Sequence, residues 1–384
     1  MPQETTNNRR DFVKKSTGAG ILILSPQIVR GSQANSALTV GLLGAGRRGT
    51  AISGFFAQNE FARMAAICDI YPDQIKQASE KFTGAKTFTN YKELLASDVD
   101  AVYIATPPFL HAEHFEAAVA AKKHIFCEKP AGIDVPSCKR ILAAARKADK
   151  TKRISFDYQQ RYGIDYNLAY DRVKKGDIGK IAMIRSSWIG GGLPLREGHA
   201  ASEEKMRNWL YYPDYSGDII VEQNCHNLDV VNWFMGTHPV KVSGYGTRAI
   251  RKAPGSILDS LGVTFEFADG TVFSYSAGQF DARMYQDISE TFIGDKGTVR
   301  TSRQGYEFYS KPNAAPEKVQ SLSSRRDITK DAVDAFVAGA RTGKLENAAF
   351  WAVESTLTAI MAREAIYSGK PMQWSDLKVG EIKA

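Results

Sequence analysis

Two patterns of hydrophobic and polar residues divide the chain. Between residues 38 and 158, short apolar runs typical of buried strands alternate with longer segments of helical periodicity. From residue 240 onward the pattern becomes one of successive half-apolar strands, with Asp269-Gly270 and Asp295-Lys296-Gly297 at hairpin positions. The first pattern predicts a parallel sheet covered by helices, and the second predicts an open, mostly antiparallel sheet.

The individual elements follow from these patterns. In the first part, strands are expected at residues 38–43, 63–68, 100–105, 124–127 and 153–158, and helices at 71–82, 91–96 and 134–148. In the second part, a strand is expected at 181–189, a helix at 217–236, and strands at 240–247, 261–267, 271–277, 288–293 and 298–303, followed by helices at 331–340 and 348–367. The expected fold is α/β, with a doubly wound parallel sheet in residues 38–158 and an α+β domain with a large open sheet in residues 159–384.

A glycine-rich turn follows the first predicted strand. Gly44, Gly46 and Gly49 form a G-x-G-x-x-G sequence between that strand and a helix. In a Rossmann domain the first glycine allows a sharp turn, the second lets the backbone approach a pyrophosphate, and the third lets helix and strand pack closely. Asp69, twenty residues after Gly49, ends the next strand, where a carboxylate accepts hydrogen bonds from the adenosine ribose. The combination predicts a dinucleotide site; the alternative is an ordinary βαβ turn with Asp69 in solvent.

Charges around the turn bear on the choice of dinucleotide. Asp69 favours NAD, because the 2′-phosphate of NADP would lie against its carboxylate. Arg47 and Arg48 weaken this preference, since either guanidinium could bind a phosphate. NAD is therefore the expected cofactor, and NADP is the less favoured alternative.

Length, charge and cysteine content narrow the class of protein. A chain of 384 residues is too long for one ordinary core and suggests two domains. Of the formal net charge of +8, part belongs to the first 37 residues, and the remainder is too diffuse to indicate nucleic-acid binding. The four cysteines have neither C-x-x-C nor metal-ligand spacing, so buried thiols and no metal site are expected: Cys68, Cys127, Cys138 and Cys225.

Residues 1–37 have the composition of an export signal. Paired Arg9 and Arg10, followed by Phe12 and two lysines, resemble a twin-arginine motif, and small residues at 32–34 suit a signal peptidase. The apolar stretch at 18–24 is too short for a stable membrane anchor. We therefore expect a signal peptide and linker, and a periplasmic protein exported in the folded state; the alternative is a basic tail on a cytoplasmic protein.

Two further motifs lie at predicted strand ends. The strand at 100–105 ends in Thr106-Pro107-Pro108, whose prolines hold the loop rigid at the edge of the sheet where ligands bind. His111 follows and is expected to touch the cofactor or, alternatively, to hold the start of the next helix. The strand at 124–127 is followed directly by Glu128-Lys129-Pro130.

The glycine turn, the Ala-Thr-Pro segment with His111 and the Glu-Lys-Pro segment, in this order, resemble the Gfo/Idh/MocA oxidoreductases, a family of mostly sugar and inositol dehydrogenases. The resemblance implies that Lys129 stands beside nicotinamide and substrate, before a peptide bond that is often cis. Burial near a positive nicotinamide is expected to lower the pKa of Lys129 toward the range of a general acid or base. The expected cofactor-binding residues are Gly44, Gly46, Arg47, Arg48, Gly49, Asp69, Thr106, Pro107, His111, Glu128 and Lys129.

Substrate contacts are expected from two segments of the second domain. The segment at residues 159–162 resembles one that usually faces substrate in this family, which makes Arg161 a candidate. Residues 190–215 form a glycine-led loop rich in arginine and aromatic residues, including Trp209. Aromatic rings and arginines suit a lid over a sugar, but they are also enriched in interfaces, so a lid and a subunit-interface arm both stay open.

Glu222, His226 and Asp229 are spaced so that one continuous helix would place them on one face. The family carries a carboxylate, a histidine four residues later and an aspartate three residues after that; Glu222 stands where aspartate is usual. His226 is expected to take the proton of the substrate hydroxyl, because imidazole titrates near neutral pH, and Asp229 or Glu222 is expected to orient its ring. The alternative is a structural histidine satisfied by nearby acids.

These observations predict an enzyme that oxidises a secondary hydroxyl of a sugar or glycoside by hydride transfer to tightly bound NAD, of the glycoside 3-dehydrogenase type. Lys129, Glu222, His226 and Asp229 are the catalytic candidates, and Lys129, Arg161, Trp209 and His226 are the substrate-binding candidates. One alternative is a redox-neutral NAD-dependent glycosidase that works by transient C3 oxidation and elimination. Another is a non-catalytic sugar-binding module. The large sheet is suited to pairing between subunits, which predicts a homo-oligomer.

Overall fold

The computed structural model of the protein describes residues 37–252, 254–280 and 285–382. The twin-arginine motif and the expected cleavage site lie outside these residues, so both stay predictions.

The first sheet has six strands in the order β3-β2-β1-β4-β5-β6, and every neighbouring pair is parallel. The strands are β1 (Leu38–Leu43), β2 (Ala62–Cys68), β3 (Lys86–Phe88), β4 (Ala101–Ile104), β5 (His124–Cys127) and β6 (Ile154–Phe156). The helices between them are α1 (Arg47–Gln58), α2 (Pro72–Lys81), α3 (Tyr91–Ala96), α4 (His111–Ala120) and α5 (Val135–Arg146). The strand order reverses between β1 and β4, so a crevice opens at the carboxyl ends of these strands.

Local sequence explains where several of these elements begin. The β4 and β5 strands are buried at every position, as expected for parallel strands covered on both faces. Asn90 and Asp134 are the N-caps of α3 and α5, where each side chain accepts a backbone N–H of the first turn. Pro72 lies in the first turn of α2, where its missing N–H costs nothing.

The second sheet has nine strands in the order β14-β13-β12-β11-β7-β10-β9-β8-β15. Its central strand β7 (Ile181–Gly190) pairs in parallel with β10 and antiparallel with β11. The other strands are β8 (Lys241–Thr247), β9 (Ser260–Glu266), β10 (Val272–Gln279), β11 (Asp287–Gly294), β12 (Thr298–Ser302), β13 (Gly305–Tyr309), β14 (Glu317–Val319) and β15 (Met372–Gln373). The expected α/β fold, a parallel sheet followed by a large and mostly antiparallel one, is confirmed.

The remaining helices lie between residues 164 and 368. They are α6 (Ile164–Lys174), α7 (Glu204–Arg207), α8 (Pro213–Ser216), α9 (Ile219–Glu222), α10 (Cys225–Met235), α11 (Thr329–Thr342) and α12 (Ala349–Ser368). The α12 helix packs against α5, α10 and β8, and α11 packs against α1. The last helices therefore contact elements of both sheets, which fixes the walls of the crevice relative to each other.

The prediction of one continuous helix over residues 217–236 is wrong. The chain forms the single turn α9, breaks at Gln223 and Asn224, and resumes as α10. Lys129 explains part of the break, because its ammonium donates a 2.6 Å hydrogen bond to the backbone oxygen of Glu222. The short strands β3, β13, β14 and β15 have no counterpart among the predicted elements.

All four cysteines are buried and unpaired, which confirms the expectation of small interior thiols. No helix in the described part of the chain is long and apolar enough to cross a membrane.

Candidate functional site

A cleft of about 1610 Å³ lies at the carboxyl ends of β1 and β4. The glycine turn forms one side, Glu128 and Lys129 contribute from the end of β5, and the second sheet contributes Trp188 and Arg303. This volume exceeds that of a typical single-ligand pocket, so the cleft has room for a dinucleotide and a substrate together.

The glycine turn has the geometry that a dinucleotide requires. Gly44 has a φ of +98°, and a Cβ there would lie 2.7 Å from the backbone of Ala105. A Cβ at Gly49 would lie 2.0 Å from the Gly44 oxygen, so only glycine lets α1 approach the turn. A Cβ at Gly46 would meet nothing closer than 3.9 Å, because this residue faces the cleft. Gly46 is therefore the residue whose backbone can approach a pyrophosphate.

These contacts predict that two similar substitutions affect different properties: one lowers the stability of the fold, and the other weakens cofactor binding. Gly49→Ala overpacks the turn, and we expect it to lower the free energy of unfolding by about 1–3 kcal/mol. Gly46→Ala should leave that free energy unchanged while weakening NADH affinity about ten-fold, because its methyl group enters the cofactor side only. Thermal denaturation and NADH fluorescence titration measure the two effects. Equal melting temperatures for the two variants would contradict this account of the turn.

Asp69 follows β2 and is tied into the glycine turn. Its Oδ2 accepts the Ala45 N–H at 2.7 Å, and its Oδ1 accepts the Tyr71 N–H at 2.9 Å. Burial raises the pKa of Asp69 above its usual value, although both N–H groups oppose the shift. Each oxygen retains a lone pair, so the fixed carboxylate can still accept ribose hydroxyls.

The two arginines of the turn have different surroundings. Arg47 is exposed and lines the cleft. Arg48 also lines it, but its guanidinium donates to Glu128 Oε1 at 2.9 Å and to Asp157, and it lies 3.3 Å from the Thr329 hydroxyl. Arg48 is therefore not a free cation for a phosphate, because its guanidinium is already paired with the Glu128 carboxylate and hydrogen-bonded to Asp157.

Asp157 belongs to the same buried network and was not anticipated from the sequence. Burial and the nearby Glu128 carboxylate raise the pKa of Asp157 to about 8, although Arg48 opposes the shift. Glu128 in turn accepts the Tyr103 hydroxyl at 2.7 Å. The network holds Glu128, and with it the start of the Glu-Lys-Pro segment, at the bottom of the cleft.

The loop after β4 braces this segment. Both ring nitrogens of His111 face backbone oxygens: Nδ1 lies 2.7 Å from Pro130 O, and Nε2 lies 2.9 Å from Thr106 O. Burial lowers the pKa of His111, although both backbone oxygens oppose the shift. His111 thus connects the loop of Thr106 and Pro107 to the Glu-Lys-Pro segment, which favours the structural alternative. Thr106 lines the cleft itself.

Lys129 lies at the centre of the cleft and precedes a cis peptide bond to Pro130. It is only 9% exposed, and its ammonium donates to Glu222 Oε1 at 2.6 Å. Burial alone would lower the pKa of Lys129, but the Glu222 carboxylate outweighs burial, and the pKa is raised. The expected lowering depended on a positive nicotinamide beside the lysine, so it stays a prediction, and the protein groups alone act in the opposite direction. The group in the cleft is an ammonium ion paired with a carboxylate.

His226 lines the cleft close to this pair, and its ring stacks on Trp188 at 5.9 Å between centroids. It is 3% exposed, and its Nδ1 has no hydrogen-bond partner in the described structure. Burial, followed by the charge of Lys129, lowers the pKa of His226 well below its usual value. The imidazole is consequently neutral at physiological pH.

The expectation that Asp229 or Glu222 orients His226 is wrong, because each carboxylate is engaged elsewhere. Asp229 accepts hydrogen bonds from Arg161 Nη2 at 2.8 Å and from the Ser355 hydroxyl at 2.7 Å. Its carboxylate is fully buried and lies outside the cleft lining. Glu222 pairs with Lys129, as described above. The break after α9 is the reason, since it turns Glu222 away from the face that carries Asp229.

Arg161 also lies outside the cleft lining. Besides Asp229 it contacts the Trp351 ring, with its guanidinium carbon 4.0 Å from the ring centroid. It therefore joins α10 to α12 beneath the cleft rather than facing it. Trp209, by contrast, does line the cleft, as do residues 193–200 of the same loop. This placement favours the lid interpretation of residues 190–215 over the interface arm.

Trp188 and Arg303 are cleft residues that the sequence interpretation missed. Trp188 belongs to the central strand β7, and Arg303 directly follows β12, with its guanidinium carbon 5.4 Å from the Trp188 ring centroid. The available signal was their position near the ends of predicted strands. That signal does not distinguish them from other residues at strand ends.

Two family descriptions match consecutive parts of the chain. Residues 38–156 match the oxidoreductase family with an NAD-binding Rossmann fold, and residues 166–300 match the GFO/IDH/MocA C-terminal domain. Fold and sequence together define an oxidoreductase built on an NAD-binding Rossmann domain. The chain belongs to the GFO/IDH/MocA family, which confirms the resemblance seen in its motifs.

Several relatives match over most of their length. The uncharacterized oxidoreductase YrbE of Bacillus subtilis is 25% identical over 68% of this chain and 73% of its own. Myo-inositol 2-dehydrogenase of Thermotoga maritima is 25% identical over 68% of this chain and 74% of its own. The 2,7-anhydro-N-acetylneuraminate hydratase of Escherichia coli is 25% identical over 70% of this chain and 68% of its own.

Solved structures share the fold. Myo-inositol 2-dehydrogenase from Lactobacillus plantarum superposes with a TM-score of 0.72 at 23% identity, covering 88% of this chain and 99% of that one. Levoglucosan dehydrogenase in complex with NADH and levoglucosan gives a TM-score of 0.74 at 20% identity, with the same coverage.

The residues present fit NAD. The turn offers the close backbone approach at Gly46, and Asp69 offers a fixed carboxylate at the end of β2. The same carboxylate disfavours a 2′-phosphate, and Arg48 is already paired with Glu128 and hydrogen-bonded to Asp157. Both observations agree with NAD as the cofactor.

Proposed function

We propose that this protein oxidises a secondary hydroxyl of a sugar or glycoside by hydride transfer to NAD, as a glycoside 3-dehydrogenase does. The observation that carries the proposal is that an ammonium, Lys129, and a neutral imidazole, His226, line the same cleft as the glycine turn. These are the two groups needed to bind a hydroxyl oxygen and to take its proton.

Two residues of this chain act on the substrate hydroxyl: Lys129 binds its oxygen and His226 takes its proton. NAD, when bound, supplies the hydride acceptor. The Lys129 ammonium, kept charged by Glu222, donates a hydrogen bond to the hydroxyl oxygen and stabilises negative charge that develops there. The His226 imidazole, kept neutral by burial and nearby cations, accepts the hydroxyl proton as the C–H hydride leaves. Loss of one proton and one hydride turns the secondary alcohol into a ketone.

The aromatic residues of the cleft support a sugar as the substrate. Trp188 and Trp209 both line it, and flat aromatic surfaces suit the C–H faces of a pyranose. Arg303 adds donors for hydroxyl groups. The named activities of the relatives, on inositol and levoglucosan, concern cyclic polyols and sugars and support the same class.

A redox-neutral elimination is the second candidate. Transient oxidation acidifies the C–H next to the new carbonyl, and a base can then expel the neighbouring oxygen substituent before the hydride returns. Glu222 favours this candidate, because it places a carboxylate 2.6 Å from the Lys129 ammonium and gives the cleft another proton-carrying group. The hydratase of Escherichia coli among the relatives shows that the family is not confined to enzymes named dehydrogenases.

One assay separates these functions. The purified protein is incubated with NAD and a panel of glycosides, and nicotinamide reduction is followed together with release of free sugar. Reduction without release is the expected result and supports the dehydrogenase. Release without net reduction would replace it with the redox-neutral glycosidase. Binding of sugar with neither reaction would instead indicate a non-catalytic module.

A further inference from the structure

The loop at residues 190–215, which precedes α9, contacts the dinucleotide-binding part of the chain through Arg207. Its guanidinium makes a bidentate ion pair with Asp73 of α2, with Nη1 2.7 Å from Oδ2 and Nη2 3.0 Å from Oδ1. The same guanidinium lies 3.7 Å from the centroid of the Tyr71 ring. The Arg207 side chain is only 14% exposed. Tyr71, Asp73 and Arg207 are called the clasp below.

The part of the loop around the clasp is held by hydrogen bonds of its own. Glu203 holds the Nε of Arg207 at 2.9 Å. The next residue, Asn208, is buried; its Oδ1 accepts the Arg196 N–H at 2.8 Å, and its Nδ2 donates to the Arg196 oxygen at 3.0 Å. The position of the Arg196 backbone is therefore fixed by the residue adjacent to the clasp.

Arg196 reaches the glycine turn. One terminal nitrogen of its guanidinium lies 3.9 Å from the point where a Cβ on Gly46 would stand. Gly46 is the residue whose backbone faces the expected pyrophosphate. Within the described residues, the Arg196 side chain has no ion-pair partner, whereas Arg48 is neutralised and Arg207 is held by the clasp. Arg196 is thus a cation beside the phosphate position that no ion pair holds, although its charge also acts on the Asp69 carboxylate.

We propose that the loop completes the dinucleotide site: Arg196 binds the pyrophosphate of NAD, and the clasp keeps the loop closed over it. The clasp also lies next to Asp69, since the Tyr71 N–H donates to the Asp69 carboxylate. One loop from the second domain therefore covers both the pyrophosphate and the ribose positions. Because it must detach before the dinucleotide can leave, opening of the clasp controls the rate of cofactor exchange. The inference rests on NAD binding, and not on the identity of the sugar.

The clasp is tested by the rate at which bound NADH dissociates. NADH fluorescence is followed in a stopped-flow instrument after mixing with excess NAD, for the wild type, Asp73→Asn, Arg207→Met and the double variant. A partly buried bidentate pair should slow dissociation by about ten-fold, so each single variant should release NADH about ten times faster. The double variant should be no faster than either single one, since both substitutions break the same pair.

A second ion pair in the loop provides the matched control. Lys205 and Asp214 are 3.4 Å apart and more than half exposed, and neither touches the first sheet through this pair. Lys205→Met should leave the NADH dissociation rate unchanged. Unchanged rates in both clasp variants, or an equal increase in Lys205→Met, would overturn the role of the clasp.

Arg196 is tested with two ligands. Arg196→Met should weaken NADH affinity about ten-fold or more, because it removes a charge-assisted contact to phosphate, and Arg196→Lys should recover part of it. Reduced nicotinamide riboside carries no phosphate, so its affinity should change little. Equal losses for both ligands, or no loss for NADH, would overturn the assignment. These measurements contain no sugar, so a wild type that binds NADH but oxidises no glycoside would refute the proposed function alone.

Discussion

Replacing Lys129 by methionine should abolish most activity and also destabilise the fold. The ammonium is the donor proposed for the substrate oxygen, so kcat should fall by about 10²–10⁴-fold. The substitution also leaves the Glu222 carboxylate buried without its partner, which should cost about 3–5 kcal/mol of unfolding free energy. Steady-state kinetics at saturating NAD and chemical denaturation measure the two effects.

The double variant Lys129→Met/Glu222→Gln separates catalysis from stability. It removes both charges, so the unfolding free energy should return toward that of the wild type while activity stays low. Recovery of activity in the double variant would show that Lys129 acts only as a structural counterion.

The ion pair of Lys129 and Glu222 should stabilise the fold throughout the neutral pH range. Because the pKa of Lys129 is raised on folding, its contribution is complete below the usual lysine value of 10.5 and is lost as the pH rises through the folded pKa.

Replacing His226 by asparagine should have an effect of similar size without a comparable loss of stability. Asparagine cannot accept the hydroxyl proton, so kcat should fall by about 10²–10⁴-fold. The unfolding free energy should change little, because His226 pairs with no carboxylate among the described residues and its Nδ1 is already unsatisfied there. His238→Asn is the matched control: this ring stacks on Trp374 at 3.6 Å between centroids, lies outside the cleft lining, and should retain full activity.

The pH dependence of the wild type tests the state of this imidazole. Burial and the positive charges around it hold the pKa of His226 well below 6.5, so the ring stays neutral at and above that pH. The profile of kcat/KM should therefore show no loss of activity near pH 6.5 from protonation of this residue. An acidic limb near pH 6.5 that disappears in His226→Asn would contradict the structure of the site.

The parts of the fold that could be predicted are those whose residues form a recognisable pattern within a short segment of sequence. The G-x-G-x-x-G turn, the apolar run of β1 and the acid after β2 lie within one short segment, so the sequence alone located the dinucleotide site. The short strands β3, β13, β14 and β15 were not predicted, because a few residues carry too little periodicity to reveal a strand. Their pairing depends on neighbouring strands that local pattern cannot identify.

The charges of the site were less predictable because their partners are distant in sequence. Lys129 meets Glu222 across 93 residues, and Arg48 meets Asp157 across 109. Both pairings reverse what the isolated residues suggest: the lysine is more strongly protonated rather than less, and the arginine is not free. The helix break at Gln223 has the same origin, since Lys129 binds the Glu222 oxygen. Helical spacing therefore identified Glu222, His226 and Asp229 but not their separate contacts.

The four buried, unpaired thiols bear on the redox conditions under which the protein can fold. Since no cross-link has to form, folding requires neither an oxidant nor a disulfide isomerase. Burial raises the pKa of Cys68 and of Cys225 to about 12, so both resist oxidation once folded. The same covalent molecule can thus fold in a reducing and in an oxidising compartment.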